Sequence, residues 1–329
     1  MDYSTFPKIE LHLHLDCSLS YHVVQQLAPG ISYESYLESF VAPPKCTDLA
    51  DYLTRAVKGF ELMQTKEALR LVTLDLCDQL QADHVAYAEI RFAPLLHLQN
   101  GLTPTEVVQT VNDALAEGMA KTGLIAGLIL CTLRHFSEAQ SMETVELVAE
   151  FKGTHVVGFD IAADEAGFPI DNHVKAFAFA KEKGLHTTAH AGEAKGAESV
   201  WETLQNFRPS RIGHGVRSVE DPRLLDFLKQ QSIHLEVCPT SNVQTNVVET
   251  IKDHPADAIY RSGVSMSVNT DCRTVSNVTL THEYHVLQQE FNWHKAHFLT
   301  CNLEAIDHAF APEEKKEALR AIIRKAYEA

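Results

Sequence analysis

Short apolar, β-branched runs recur along the chain, most of them followed by a longer stretch with helical periodicity. Eight runs read as strands: "KIELHLHL" (8–15), "HVAYAEIRFAP" (84–94), "IAGLILCTLR" (125–134), "HVVGFDIA" (155–162), "LHTTAHAGE" (185–193), "SRIGHG" (210–215), "IHLEVCPTS" (233–241) and "VSMSVNTD" (264–271). Helix-like segments separate most of them, at 104–123, 141–153 and 171–184, and all three end in Gly, a normal helix stop. Strands alternating with helices predict a parallel sheet, and eight strands close a (β/α)8 TIM-type barrel. The rival is a doubly wound open sheet, but its G-x-G-x-x-G turn after the first strand is absent. Residues 19–80 interrupt the alternation with helical periodicity broken at "APPK", and predict a helical insertion after the first strand. Such an insertion either shapes the C-terminal mouth of the barrel or simply packs against it. The segment 312–329 reads as a closing amphipathic helix. With no repeat, low-complexity tract or linker, residues 1–329 are expected to form one domain.

The first strand carries an unusual face. Side chains alternate along a strand, so Ile9, Leu11, Leu13 and Leu15 share an ordinary core face, while Glu10, His12, His14 and Asp16 share the other. Four titratable groups in a row are costly to bury without partners, and a metal ion is one way to satisfy them.

Composition narrows the function classes. A formal net charge of −16 repels nucleic acid and anionic membranes, so neither is expected as a partner. The 7 cysteines form no C-x-x-C pair and leave an odd count, which argues against a disulfide framework and for a reducing cytoplasm. The N-terminus lacks the basic and apolar regions of a signal peptide, and the most apolar window, 123–133, is too short to span a bilayer. The expectation is a soluble cytoplasmic protein.

In a barrel, residues at strand C-termini converge on one face. Those ends supply His12, His14 and Asp16 from the first strand, His190 and Glu193 from the fifth, His214 from the sixth and Asp271 from the eighth. Three imidazoles and a carboxylate make a plausible zinc site with room for water, whose pKa the metal lowers to about 7. A remaining Glu and His are acid/base equipment for hydrolysis. Taken singly, each has a plainer explanation. "HAGE" fits a strand end with Glu193 capping the next helix, "RIGHG" a tightly packed core strand, and "NTD" a helix cap.

Together, "PKIELHLHLD", "HAGE", "RIGHG", "EVCPTSN" and "SVNTD", in this order, resemble the adenosine deaminase family of the amidohydrolase superfamily, and the resemblance spans essentially the whole chain. It implies one Zn²⁺ held by His12, His14, His190 and Asp271, with His14 also facing the substrate. It makes Glu193 the proton donor to N1 of the purine and His214 the residue that orients the attacking hydroxide. Asp16 is implied as the partner of the ribose 5′-hydroxyl. The implied reaction converts adenosine, or a close 6-aminopurine nucleoside, and water to an inosine-type product and ammonia. The zinc-deaminase scheme built on H-x-E and P-C-x-x-C is absent.

Three positions depart from the family pattern: Cys17 replaces a Gly, Cys272 an Asp or Asn near purine N7, and Ala163 the Gly whose amide meets N3. These departures keep adenine, 5′-substituted adenosines such as methylthioadenosine, and aminofutalosine open as substrates. A binuclear barrel hydrolase is a further alternative, but it commonly needs a bridging lysine where "VVGFDIAADE" has none. A non-catalytic binding protein is the remaining alternative. The sequence leaves the oligomeric state open.

Overall fold

The expected runs become eight strands in the computed structural model, which describes residues 1–328: β1 (Lys8–His14), β2 (Val85–Phe92), β3 (Ile125–Leu133), β4 (Val156–Ala162), β5 (His186–Ala191), β6 (Arg211–His214), β7 (His234–Val237) and β8 (Met266–Val268). Each pairs in parallel with the next, in the order β1 to β8. Helices cover the outer face, so both sides of the sheet are buried and the strands read as apolar runs.

The ring closes where β1 meets the end of β8. Leu13 bridges Asp271, the His14 N–H donates to the Asp271 carbonyl at 2.7 Å, and the Asp271 N–H donates to the His12 carbonyl at 3.0 Å. Asn269 completes the seam, its Oδ1 accepting the N–H groups of Leu11 and His12 at 2.8 and 3.2 Å. The architecture is a (β/α)8 barrel.

The last two strands are shorter than the sequence pattern predicts. β7 stops at Val237 because Pro239 opens the short helix Pro239–Gln244, and proline suits a first helical turn and not a central strand. β8 stops at Val268, and the chain then turns through Asp271, whose φ of +63° is left-handed.

Four helices occupy the interruption after β1: α1 (Tyr21–Leu27), α2 (Tyr33–Phe40), α3 (Leu49–Leu62) and α4 (Lys66–Ala82). Ser20, Ser32, Asp48 and Thr65 cap them by accepting an N–H three residues on, which satisfies an otherwise orphaned amide in each first turn. α3 lies directly over the turn that holds Asp16. A Cβ at Gly59 would collide with the Asp16 carbonyl oxygen, so a glycine there permits the close docking. Among the described residues, no helix is long and apolar enough to cross a membrane.

Candidate active site

The strand C-termini bring His12, His14, His190, His214 and Asp271 together at the barrel mouth. The candidate ligand atoms of His12, His190, His214 and Asp271 all lie within 4.8 Å of one another. His14 joins them, its Nε2 3.3 Å from His190 Nε2 and 3.4 Å from Asp271 Oδ1. His12 Nε2 is also 3.4 Å from Asp271 Oδ1. The rings crowd because Gly213 has no side chain: a Cβ there would lie 2.9 Å from His12 Cε1 and 3.2 Å from His190 Cγ. Two of these residues sit on left-handed backbone, His214 at φ +59° and Asp271 at +63°. Such conformations cost on the order of 1–3 kcal/mol each and persist where the surroundings impose them.

The donor chemistry fits a cation. Glu236 Oε2 accepts from His12 Nδ1 at 2.9 Å, and Asp160 Oδ2 lies 3.0 Å from His190 Nδ1. Carboxylates behind both Nδ1 atoms place the ring protons there, leaving lone pairs on the Nε2 atoms that face the cluster. His12 Nε2 is buried and has no hydrogen-bond partner. Lone pairs facing the Asp271 carboxylate are repulsive without a positive charge between them. The spacings of 3.3 Å from His14 to His190 and of 3.4 Å from His12 and His14 to Asp271 bring these donor atoms close enough to share one cation. Ser241 donates to Asp271 Oδ2 at 2.6 Å and steadies that carboxylate.

Beneath the cluster lies a buried charge network. Arg91 reaches Asp160 at 2.8 Å and Glu236 at 2.7 Å, while Arg211 reaches Glu236 at 2.6 Å and Glu89 at 2.5 Å. Burial pushes the Glu236 carboxyl up, but Arg91 and Arg211 prevail and hold it well below the usual carboxylate range. Sequence reasoning passed over Asp160 and Glu236. Their signal was a carboxylate inside an otherwise apolar strand, "GFDIA" and "HLEV".

Glu193 stands beside the cluster, its Oε2 3.6 Å from His214 Nε2 and its Oε1 accepting from Thr245 Oγ1 at 3.2 Å. It does not cap the following helix, whose N-cap is Gly196. Burial first, then the nearby Asp271 and Glu165 charges, raises its carboxyl well above the ordinary range, so the group is poised to carry a proton. A third unforeseen residue places it. Glu165 Oε1 accepts from the Gly192 N–H at 2.8 Å and Ser199 Oγ at 2.5 Å, and its Oε2 accepts from Glu193, Ala194 and Lys195 at 3.0, 2.7 and 3.0 Å.

Four further residues line the approach. Glu10 is not among them: it is fully buried, accepts from Thr270 and pairs with Arg273 at 3.2 Å, apart from the histidine cluster. Asp16 occupies the turn after β1, where burial pushes its carboxyl up to about 6. Ala163 has φ +77°, a conformation that glycine adopts without strain. Cys17 and Cys272 line the small pocket that also contains His14, Glu193, His214 and Asp271, and they pack in one cluster with Tyr52 from α3. From this pocket a cavity of about 420 Å³ opens past Asp16 and Ala163, walled by Leu53, Val57 and Phe60 of α3 and by Leu96 and Leu133.

Comparison with known proteins agrees with this geometry. The chain is 37% identical to adenosine deaminase of Lacticaseibacillus paracasei over 336 residues, covering 99% of each. It is 36% identical to adenosine deaminase of Enterococcus faecalis, covering 98% of this chain and 97% of that one. The solved adenine deaminase of Arthrobacter aurescens superposes with a TM-score of 0.91 at 26% identity, covering 98% of this chain and 99% of that one. The N6-mAMP deaminase of Arabidopsis gives 0.88 at 25% identity, covering 98% and 99%. A family model described as adenosine deaminase matches residues 7–326. The chain therefore belongs to the adenosine deaminase family and is a hydrolytic purine deaminase.

Proposed function

We propose that the protein binds one Zn²⁺ through His12, His14, His190 and Asp271 and converts adenosine, or a close 6-aminopurine nucleoside, to the inosine-type product and ammonia. The observation that carries this reading is a buried cluster of imidazole nitrogens around one carboxylate oxygen, with His14 3.3 Å from His190 and with His12 and His14 each 3.4 Å from Asp271, beside a buried proton-bearing Glu193. Nitrogen and oxygen donors in that number suit zinc. Residues 1–329 act in this reading as one catalytic domain.

A bound zinc would supply a water activated at neutral pH. Glu193 donates its proton to N1 of the purine, which makes C6 electrophilic. As water adds to C6 its proton passes to the Glu193 carboxylate, which hands it to the amino nitrogen; the C6–N bond breaks, ammonia leaves, and the C6 hydroxyl proton returns to Glu193. His214 supports the attacking oxygen, and α3 with Tyr52 and Leu53 excludes bulk water from the pocket. Asp16 accepts from a sugar hydroxyl, the Ala163 amide meets N3, and Cys272 faces N7.

The lining of the cavity favours an uncharged nucleoside over a nucleotide. It carries Asp16 and Asp164 and neither Lys nor Arg, so a 5′-phosphate would meet carboxylates. Adenine is the second reading, favoured by the likeness to the Arthrobacter adenine deaminase. The 7 unpaired cysteines support a reducing, cytoplasmic setting.

The test is ammonia release by zinc-loaded protein against adenine, adenosine, 5′-modified adenosines and AMP. Adenosine is expected to give the highest kcat/KM and AMP a far lower one. Turnover confined to adenine would replace the substrate, and no turnover on any aminopurine would overturn the reading.

A further inference from the structure

Behind His214 a line of hydrogen bonds runs from the reaction centre to a backbone amide. The Ala256 N–H donates to His254 Nδ1 at 3.1 Å. An amide N–H only donates, so Nδ1 is the unprotonated nitrogen of that ring. Burial drives His254 down to about 3, so the ring is neutral and its single proton sits on Nε2. His254 Nε2–H then donates to Asn242 Oδ1 at 3.1 Å. That contact sets which end of the Asn242 amide faces which neighbour. Its Nδ2 therefore donates to His214 Nδ1, also at 3.1 Å. His214 must carry its proton on Nε2, the nitrogen that faces Glu193. His214, Asn242 and His254 are buried, so bulk water does not compete for these contacts.

His12 and His190 are wired the opposite way. Each has a carboxylate behind Nδ1 and so keeps a lone pair at Nε2. One residue type in one cluster is thus divided into metal ligands and a hydrogen-bond donor by what stands behind Nδ1.

We propose that Asn242 and His254 are positioning residues that hold His214 as its Nε2–H tautomer. His214 then donates a hydrogen bond to the oxygen that adds to the purine, and is neither a metal ligand nor a proton acceptor. The catalytic consequence rests on the deaminase reading; the tautomer does not.

The test uses zinc-loaded protein labelled with ¹⁵N-histidine, with His214 assigned by difference from a His214→Gln sample. The spectrum should show an unprotonated Nδ1 and a protonated Nε2 on His214. Asn242→Asp puts an acceptor behind Nδ1 and should exchange the character of the two nitrogens. With it, kcat should fall roughly 10²-fold, the loss typical of one removed transition-state donor, while KM moves less than about threefold. His254→Gln can still accept from Ala256 and donate to Asn242, and should retain the wild-type tautomer and most activity. His254→Leu should lose both. An unprotonated Nε2 on wild-type His214 overturns the proposal, as does an Asn242→Asp protein with unchanged spectrum and kcat. Should Asn242→Asp fail to fold, the wild-type spectrum and the His254 pair decide. Absence of ammonia release by wild type would remove the deaminase reading, and the spectrum would still judge the tautomer.

Discussion

The backbone of Glu193 is held by the side chain of Glu165, whose Oε2 accepts the Glu193 N–H at 3.0 Å. The same carboxylate takes the N–H groups of Gly192, Ala194 and Lys195 and the Ser199 hydroxyl. An acceptor-only group in a ring of donors locks the loop, since hydrogen bonds to a charged acceptor contribute about 1.5–3 kcal/mol each. It connects the end of β4 to the end of β5, and so ties the Ala163 turn to Glu193.

Glu165→Gln turns an NH₂ toward backbone donors and breaks at least one of these contacts. The expected result is a kcat lowered by roughly 10-fold or more through misplacement of Glu193, with metal content unchanged. Steady-state kinetics and elemental analysis check it together. A lower Tm with wild-type kcat would make Glu165 a stabilising residue only.

Glu236 fixes the tautomer and direction of His12, so Glu236→Gln should weaken metal binding while every ligand remains. Outer-shell partners of this kind account for about 10–100-fold in metal affinity. Competition against a chelator of known affinity measures it. Because Arg91 and Arg211 lose their shared anion, the melting of the metal-free variant must be recorded alongside, to separate weaker binding from general destabilisation.

Glu193→Gln should retain zinc and nucleoside binding and lose about 10²-fold in kcat, the scale of one general acid. The pH dependence has a definite sign. The folded-state carboxyl is raised, so its proton is favoured by folding and the contribution to stability is full below the ordinary carboxylate range. That contribution is lost as pH rises toward the raised value. Over this rise metal-free wild-type protein should lose stability relative to metal-free Glu193→Gln, the difference between the two pH profiles being the Glu193 contribution. Loss of zinc by the variant would count against the assigned role.

His97 predicts the acid limb. Its ring is fully buried, Nδ1 meets the Met63 carbonyl at 3.1 Å, and burial lowers it from 6.5 to about 4. The unfolded chain takes up this proton near pH 6.5 and the folded protein only near 4, so stability present above pH 6.5 drains away as pH falls. By pH 5 the loss is about 2 kcal/mol. Urea unfolding at pH 7 and pH 5 should show a loss about 2 kcal/mol larger in wild type than in His97→Gln. Equal pH dependence in the two proteins would rule this source out.

Much of the site was legible in sequence because local periodicity is a covalent property of the chain. A strand's period of two commits His12 and His14 to one face and Leu11 and Leu13 to the other, whatever surrounds them. Strand ends then nominate His190, Glu193, His214 and Asp271, and eight repeats of one pattern imply a closed barrel. Local pattern does not encode which distant group meets which atom. Glu236 is 224 residues from His12, and Glu165 is 28 from Glu193. Closure of the barrel brings these pairs together, and burial makes each meeting consequential, because a buried polar atom has no water to fall back on. The sequence by itself determined which residue types line the mouth. The tertiary structure decided their protonation, since a carboxylate behind His12 Nδ1 and an amide behind His214 Nδ1 leave two histidines of one cluster with opposite tautomers.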